Sequence, residues 1–432
     1  MMKVHLKALG CRLNEAELEQ WSRQFRQQGH AIVAQANDAD VVVVNTCAVT
    51  SDATKKSRKL MNRLHRENPE SKLVVSGCYA TLEAKEVESR LGVDLVVDNQ
   101  QKESLPAQVI ERFSANTMPS IAMEPGETSL FMRGRHRAFI KIQDGCRYRC
   151  TFCIVTVARG EERSRRLDEI IQQVNELYQQ GIHEIVLTGV HVGGYGSDNG
   201  SSLYELVETL LKETDMPRIR FASVEPWDLP DHFFSLFENK RVMPHMHLPL
   251  QSGADSVLRR MSRRCKTSEF SRLVNQARQT IPDFNVTSDI IVGFPGETQD
   301  EWNQTLETVE SIGFGHLHIF SYSAREGTKA AGLPNQVDDL TAKQRSKELH
   351  HLADNMKHEM LQQQLNKQVD VLWESQKPSE MSDHVRYTGY TPNFLRVETI
   401  VDKDVVLDSK VTPVTLTRLS EEAGFLIGVV NG

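Results

Sequence analysis

The sequence predicts an α/β protein in three parts: an amino-terminal α/β domain, a central partial (β/α) barrel and a small carboxyl-terminal β-barrel of OB type. Three observations predict it. Apolar runs alternate with polar, helix-favouring stretches through the first hundred residues. The alternation restarts after an interval carrying Pro, Gly, Ser and Thr, and yields six more strand candidates with helical stretches between them. From Val369 it gives way to short alternating runs with no helical pattern between them. A chain of 432 residues, 39% hydrophobic and 25% charged, has the length and balance for such a division. Its start, MMKVHLKALGC, lacks a charged segment followed by a long apolar run, and nowhere do eighteen apolar residues follow one another, so a cytosolic chain with no membrane association is expected.

In the first domain, expected at 1–120, residues 4–9, 41–44 and 73–75 read as strands. Each is followed within a few residues by a cysteine, at Cys11, Cys47 and Cys78. Open parallel sheets hold ligands beyond the carboxyl ends of their strands, so the three thiols could converge on one site. Residues 113–134, FSANTMPSIAMEPGETSLFMRG, have no clean period and read as a linker. The core, expected at 132–365, has strand candidates at 138–142, 184–187, 218–222, 245–248, 286–292 and 316–320, with helix-like segments such as LDEIIQQVNELYQQG between them. That series reads as a parallel partial or complete barrel with site residues at the strand ends. The last domain, 368–432, offers five strands: VDVLWE, FLRVETI, KDVVLDS, VTPVTLTRL and GFLIGVV.

Seven cysteines in a chain without a secretion signal argue for metal ligation or catalysis rather than disulfides. Cys146, Cys150 and Cys153 lie in GCRYRCTFC, directly after the strand AFIKIQ. Three thiolates from one loop can hold three irons of a cubane cluster and leave the fourth open. A structural zinc site needs four ligands, commonly as two separated Cys-x-x-Cys pairs, and the sequence has no second pair. Any one of Cys11, Cys47 and Cys78 alone would more often be a small buried core residue. Three of them at strand ends, each beside Gly or Thr, form a set. Cys265, in RRMSRRCKTSEF, fits neither triplet and reads as non-ligating packing or surface.

Cys-x3-Cys-x2-Cys with Phe152 before the last cysteine, after the first strand of a βα series, resembles the radical S-adenosylmethionine superfamily. GCRLNEAE, NTCAVTSDATKKSR and SGCYA, around the first three cysteines, resemble the segments of its methylthiotransferases. The resemblance implies two 4Fe-4S clusters, one on each triplet, with all six cysteines as ligands essential to catalysis. S-adenosylmethionine would chelate the open iron and yield a 5′-deoxyadenosyl radical on reduction. TGVHVGGYG, SVEP, HLPLQSG and SDIIVGFPGET resemble the cofactor-pocket segments. On that likeness Gly189 approaches the methionyl amino group, Ser223, Glu225 and Gln251 meet polar parts of the cofactor, and Val292 and Gly293 flank the adenine. Read without it, Gly293, Pro295 and Gly296 are equally a simple turn.

Three substrates fit the resemblance: threonylcarbamoylated adenosine in tRNA, isopentenylated adenosine in tRNA, and an aspartate of a ribosomal protein. NTCAVTSDATKKSRKLMNRLHRENP and DGCRYRCTFCIVTVARGEERSR are more similar to the threonylcarbamoyl branch. The implied partners are a tRNA anticodon stem-loop, a reducing donor such as flavodoxin or ferredoxin, and a sulfur source. An electron carrier or a non-catalytic RNA-binding protein is the alternative outside enzymes, and it leaves the pocket segments unexplained. The net charge of −7 does not itself suggest a polyanion partner. Local charge does: Arg133, Arg135, Arg137, Lys141, Arg147, Arg149, Arg159, Arg163, Arg165 and Arg166 face only Asp144, Glu161 and Glu162 between 131 and 166. A second run, Lys55 to Arg66, reads rather as solvated helix surface. The last domain resembles the TRAM module, whose Tyr387, Tyr390 and Phe394 could stack on bases. From Val369 onward, however, six Lys or Arg stand against ten Asp or Glu.

Overall fold

The computed structural model describes residues 1–90, 92–113, 136–379, 383–420 and 424–431, and the linker expected at 113–134 lies almost wholly outside them. The chain forms two compact units: Met1–Arg133 with Asp144–Arg163 and Ser323–Ala331, and Gly134–Gln143 with Ser164–Tyr322 and Gly332–Gly432.

The first unit is built on a five-stranded parallel sheet in the order Ala31–Ile32, Lys3–Ala8, Val41–Thr46, Lys72–Gly77, Val93–Val97. The run VVVV explains why both of its faces are covered. Val42 and Val44 join one buried cluster with Leu60, Leu73 and Val75, while Val41 and Val43 join another with Trp21, Phe25 and Val74. A strand apolar on both sides belongs in a parallel sheet with helices on both faces. Those helices include Arg12–Gln27, Ser51–Glu67 and Leu105–Phe113. Strand order reverses between Lys3–Ala8 and Val41–Thr46, the switch point at which doubly wound sheets open a ligand crevice. The sequence reading missed two strands here, because Ala31–Ile32 is too short to show a period and Val93–Val97 is only half-buried.

In the second unit Arg137–Lys141, Glu184–Thr188 and Arg218–Phe221 form one parallel sheet, and His245–His247, Asn285–Val292 and His316–Ser321 another. Bridges Ile219↔Val242 and Ser223↔His247 continue one into the other, giving the expected six-stranded partial barrel. The segment Gln368–Val430 closes a separate five-stranded barrel. One of its strands differs from expectation. KDVVLDS is turn and loop, and His384–Tyr390 is a strand instead. Its alternation is blurred by Thr388 and by Gly389, where a Cβ would stand 2.6 Å from Leu372 O. No helix among the described residues is long and apolar enough to cross a membrane.

Candidate functional site

Each of the first three cysteines follows the carboxyl end of a strand and lies at or before the start of the next helix. Cys11 caps Arg12–Gln27 without a side-chain capping bond, Cys47 follows Val41–Thr46, and Cys78 opens Cys78–Leu82. The helix after Cys47 clamps it: its N–H donates to Ser57 Oγ at 3.2 Å, and that hydroxyl donates back to Cys47 O at 3.0 Å. Asn99 Nδ2 donates to Cys78 Sγ at 3.7 Å. Gly10, at φ +104°, is the residue that lets the first loop approach, because a Cβ there would lie 2.7 Å from both Cβ and Sγ of Cys47. Burial pushes the Cys47 thiol up to about 11, with Cys11 and Cys78 close enough to push the same way and Arg159 opposing them. Converging thiols, of which Cys11 and Cys47 resist ionisation, suit a soft cation that takes the place of protons. That donor set fits an iron-sulfur cluster.

Cys146, Cys150 and Cys153 are also brought together. Burial raises Cys146 to about 12, and Cys153 and Cys150 add to the shift. Cys146 N–H donates to Gly160 O and Cys153 N–H to Cys150 O, both at 3.1 Å, which folds the loop into a cup with Phe152 half-buried beside it. Three soft donors from one loop fit a cluster with one open iron. Cys265 lies apart, buried in the barrel core, with its thiol donating to Lys266 O at 3.4 Å.

Between these loops the first unit carries a buried polar network that the sequence reading missed. Arg159 is 2% exposed. Its guanidinium donates to Glu17 Oε1 at 2.9 Å, Asp144 Oδ1 at 3.0 Å and Asn14 Oδ1 at 2.9 Å. Glu17 also accepts from Lys102 Nζ at 2.7 Å and Asn45 Nδ2 at 2.9 Å. Burial works against the charge of Arg159, but Glu17 and Asp144, with the Cys78 and Cys11 thiols beyond them, hold its pKa well above the usual value. In sequence the residue looks like one more charge in VARGEERSR, and only its apolar neighbours hint at burial.

The cofactor-pocket candidates of the second unit all stand at carboxyl ends of strands. After Gly189, the N–H groups of Val190 and His191 donate to Gln143 Oε1 at 3.1 and 2.8 Å. Ser223 bridges to His247. Glu225 accepts from Arg263 Nη2 at 2.8 Å. Gln251 holds φ 77°, a conformation side chains avoid, pinned by its N–H to Asp289 O and its carbonyl to Ile291 N at 2.8 and 2.9 Å. Val292 is buried, and Gly293, at φ 75°, donates to Glu297 Oε2 at 3.0 Å, itself paired with Arg345 at 2.8 Å. One further cluster went unread: His247, Asp289 and His318 place ligand atoms within 4.8 Å of one another. They share the sheet face opposite Val286, Ile290 and Leu317 of the core, and the alternation in HMH and HLH was its signal.

The proposed RNA-binding residues fare differently. Arg133 and Arg135 lie outside the described residues. Arg137 pairs with Glu184 and Glu374, Arg147 with Glu162 at 3.6 Å, Arg149 with Glu161 at 3.0 Å and Arg166 with Asp168 at 2.7 Å. Arg165 donates to Lys141 O and Gln173 at 2.8 Å, and Arg163 is exposed. Tyr387 is 2% exposed in the barrel core, edge-on to Trp373, with no ring face for a base. Tyr390 and Phe394 stack at 4.9 Å under Arg137, and Arg220 lies 4.8 Å over Phe394. These rings join the small barrel to the amino ends of the larger barrel's strands.

Residues 3–98 match the family described as Uncharacterized protein family UPF0004, and residues 140–309 match the Radical SAM superfamily. A threonylcarbamoyladenosine tRNA methylthiotransferase of Bacillus subtilis is 35% identical over 410 residues, 92% of this chain and 90% of that protein. Its counterpart in Thermotoga maritima is 36% identical over 353 residues, 80% of each. A tRNA-2-methylthio-N(6)-dimethylallyladenosine synthase of Thermobifida fusca is 32% identical over 414 residues, 93% of this chain and 84% of that protein. Among solved structures, a radical S-adenosylmethionine methyltransferase from Kitasatospora setae shares the fold, with a TM-score of 0.57 over 77% of each chain and 14% identity.

Proposed function

The chain belongs to the radical S-adenosylmethionine methylthiotransferase family, and from that membership we propose that it attaches a methylthio group to C2 of N6-threonylcarbamoyladenosine beside the anticodon of tRNA. The carrying observation is the gathering of six cysteines into two triplets at strand ends, in a chain that aligns over nine-tenths of its length with a tRNA methylthiotransferase. When bound, the two 4Fe-4S clusters and S-adenosylmethionine supply one-electron reduction, hydrogen abstraction and the transferred sulfur and methyl.

The chain's own residues bind and orient. Cys11, Cys47 and Cys78 would hold one cluster, and Cys146, Cys150 and Cys153 the other. Gly189, Ser223, Glu225, Gln251, Val292 and Gly293 would take the cofactor, with Glu297 accepting from the Gly293 N–H and so fixing the turn at that edge. His247, Asp289 and His318 make the barrel face polar, with His247 held by Thr287 Oγ1 at 2.9 Å and Asp289 Oδ1 at 3.1 Å. Domains at 1–120, 132–365 and 368–432 complete the reading. A flavodoxin- or ferredoxin-like donor, a sulfur source and a cytosolic setting shared with tRNA go with it.

Nucleoside mass spectrometry of tRNA from a deletion strain and its complemented control tests the proposal. Methylthio-threonylcarbamoyladenosine should vanish and return. If it persists while methylthio-isopentenyladenosine or a modified ribosomal-protein aspartate is lost, the substrate assignment is wrong and the chemistry class stands.

A further inference from the structure

Of the cations that the sequence places round the second cysteine triplet, Arg137, Arg159 and Arg165 are held by partners with little exposure, whereas Arg149 and Arg166 form exposed pairs. A different basic surface is available in the first unit. Lys7 and Leu9, from the strand that leads to Cys11, and Lys56, Lys59, Leu60, Asn62, Arg63 and Arg66, from the helix that follows Cys47, line a groove of about 510 Å3. Lys56, Lys59, Arg63 and Arg66 fall at helical spacing on one face of Ser51–Glu67 and span about 15 Å.

Two of the five cations have helix partners, Lys56 with Asp52 at 2.7 Å and Arg63 with Glu67 at 3.4 Å. All four of those side chains are exposed, and such pairs are held weakly enough for a polyanion to exchange with. Lys7, Lys59 and Arg66 make no ion pair among the described residues. Leu60, buried in the core beneath the helix, and half-buried Leu9, packed against it, form the floor of the groove.

Resting on the tRNA reading above, we propose that this groove binds the phosphate backbone of the RNA substrate on the amino-terminal unit. Five cations over a narrow floor match a regular string of phosphates, which bind by releasing counterions even to a chain whose net charge is −7. Both walls of the groove lead into the cysteine edge, since Lys7 and Leu9 precede Cys11 and the helix follows Cys47. Phosphates held there fix the strand beside the loops that carry Cys11 and Cys47, while recognition of the base is left to other residues.

The test is fluorescence anisotropy of a labelled anticodon stem-loop on full-length, cluster-loaded protein, titrated at several salt concentrations. The variant Lys59→Ala/Arg63→Ala/Arg66→Ala should bind about tenfold or more weakly at moderate salt, and its log K against log salt slope should flatten by about two. Lys343→Ala/Lys347→Ala, which removes exposed cations from the helix Asp339–Gln362, should bind like the parent. All the replaced side chains reach solvent, and unchanged iron content would verify that the variants are intact. Equal affinity and slope in the groove variant and the parent would overturn the groove assignment while leaving the tRNA reading in place. A parent protein with no salt-dependent binding would overturn both.

Discussion

Replacing Arg159 by methionine keeps the bulk of the side chain and removes its fork of donors. Glu17 retains Lys102 at 2.7 Å and Asn45 at 2.9 Å, so its charge stays matched. Asp144, 3% exposed, loses the 3.0 Å bond from Arg159 and keeps the N–H of Gly145 at 2.9 Å. Two charge-assisted bonds at roughly 1.5–3 kcal/mol each and one to Asn14 at roughly 1 kcal/mol give about 4–7 kcal/mol before relaxation. Breaking one side of a buried pair is measured at about 3–5 kcal/mol, so a loss of about 4 kcal/mol is expected. At about 2–4 °C per kcal/mol for a unit of this size, thermal unfolding should move down by about 10 °C. Arg159→Lys, a point charge without the fork, should recover only part of that. In a double-mutant cycle with Asp144→Asn the two sites should couple by at least about 1 kcal/mol. A midpoint within about 2 °C of the parent, or additive effects, would refute the claim that this network fastens the cysteine loop to the helix after Cys11.

Gly10→Ala puts a methyl 2.7 Å from the Cys47 sulfur in a backbone region closed to alanine, so iron content should fall by about the share of one cluster, read by iron assay and electron paramagnetic resonance. Cys150→Ala should abolish the methylthio product and the reductive cleavage of S-adenosylmethionine, and full activity would sink the two-cluster scheme. For Glu184, burial alone would raise the pKa, but Arg220, Arg137 and Arg218 together hold it at about 2, below its ordinary 4.5. A depressed carboxylate contributes stability that is complete above its unfolded pKa and is lost as pH falls from about 4.5 towards 2. That contribution is about 3 kcal/mol near neutrality. Urea midpoints of Glu184→Gln and the parent should therefore lie far apart at pH 7 and draw together near pH 2.5.

What could be read from sequence was whatever is local. Strand, cysteine and helix succeed one another within ten residues in NTCAVTSD, and the barrel strands are set off by the periodic helical stretches between them. The pairings that decide function are not local. Asn14, Glu17, Asp144 and Arg159 form one network from two separate stretches of chain in the first unit, and no periodicity announces it. The same gap limits the charge argument: counting arginines between 131 and 166 could not show that Arg137 lies against buried Glu184 while Arg149 and Arg166 reach solvent beside Glu161 and Asp168. Tyr387 shows the converse. Its alternation with Val385 marks the inner face of a strand, but the strand itself was obscured by Thr388 and Gly389.

The first unit is assembled from three stretches of chain, the last of which supplies Ser323, Arg325 and Ala330. These join Ser51, Thr54 and Thr151 through hydrogen bonds at 3.3, 3.3 and 2.9 Å. A ribosome delivers Cys78 long before Ala331. At ordinary elongation rates the delay is on the order of ten to fifty seconds, during which three thiols wait at the edge of a sheet whose unit is still incomplete. Metal loading and protection from oxidation therefore belong to the biography of the nascent chain as much as to the finished enzyme. A fragment cut at the linker would be frozen in that immature state.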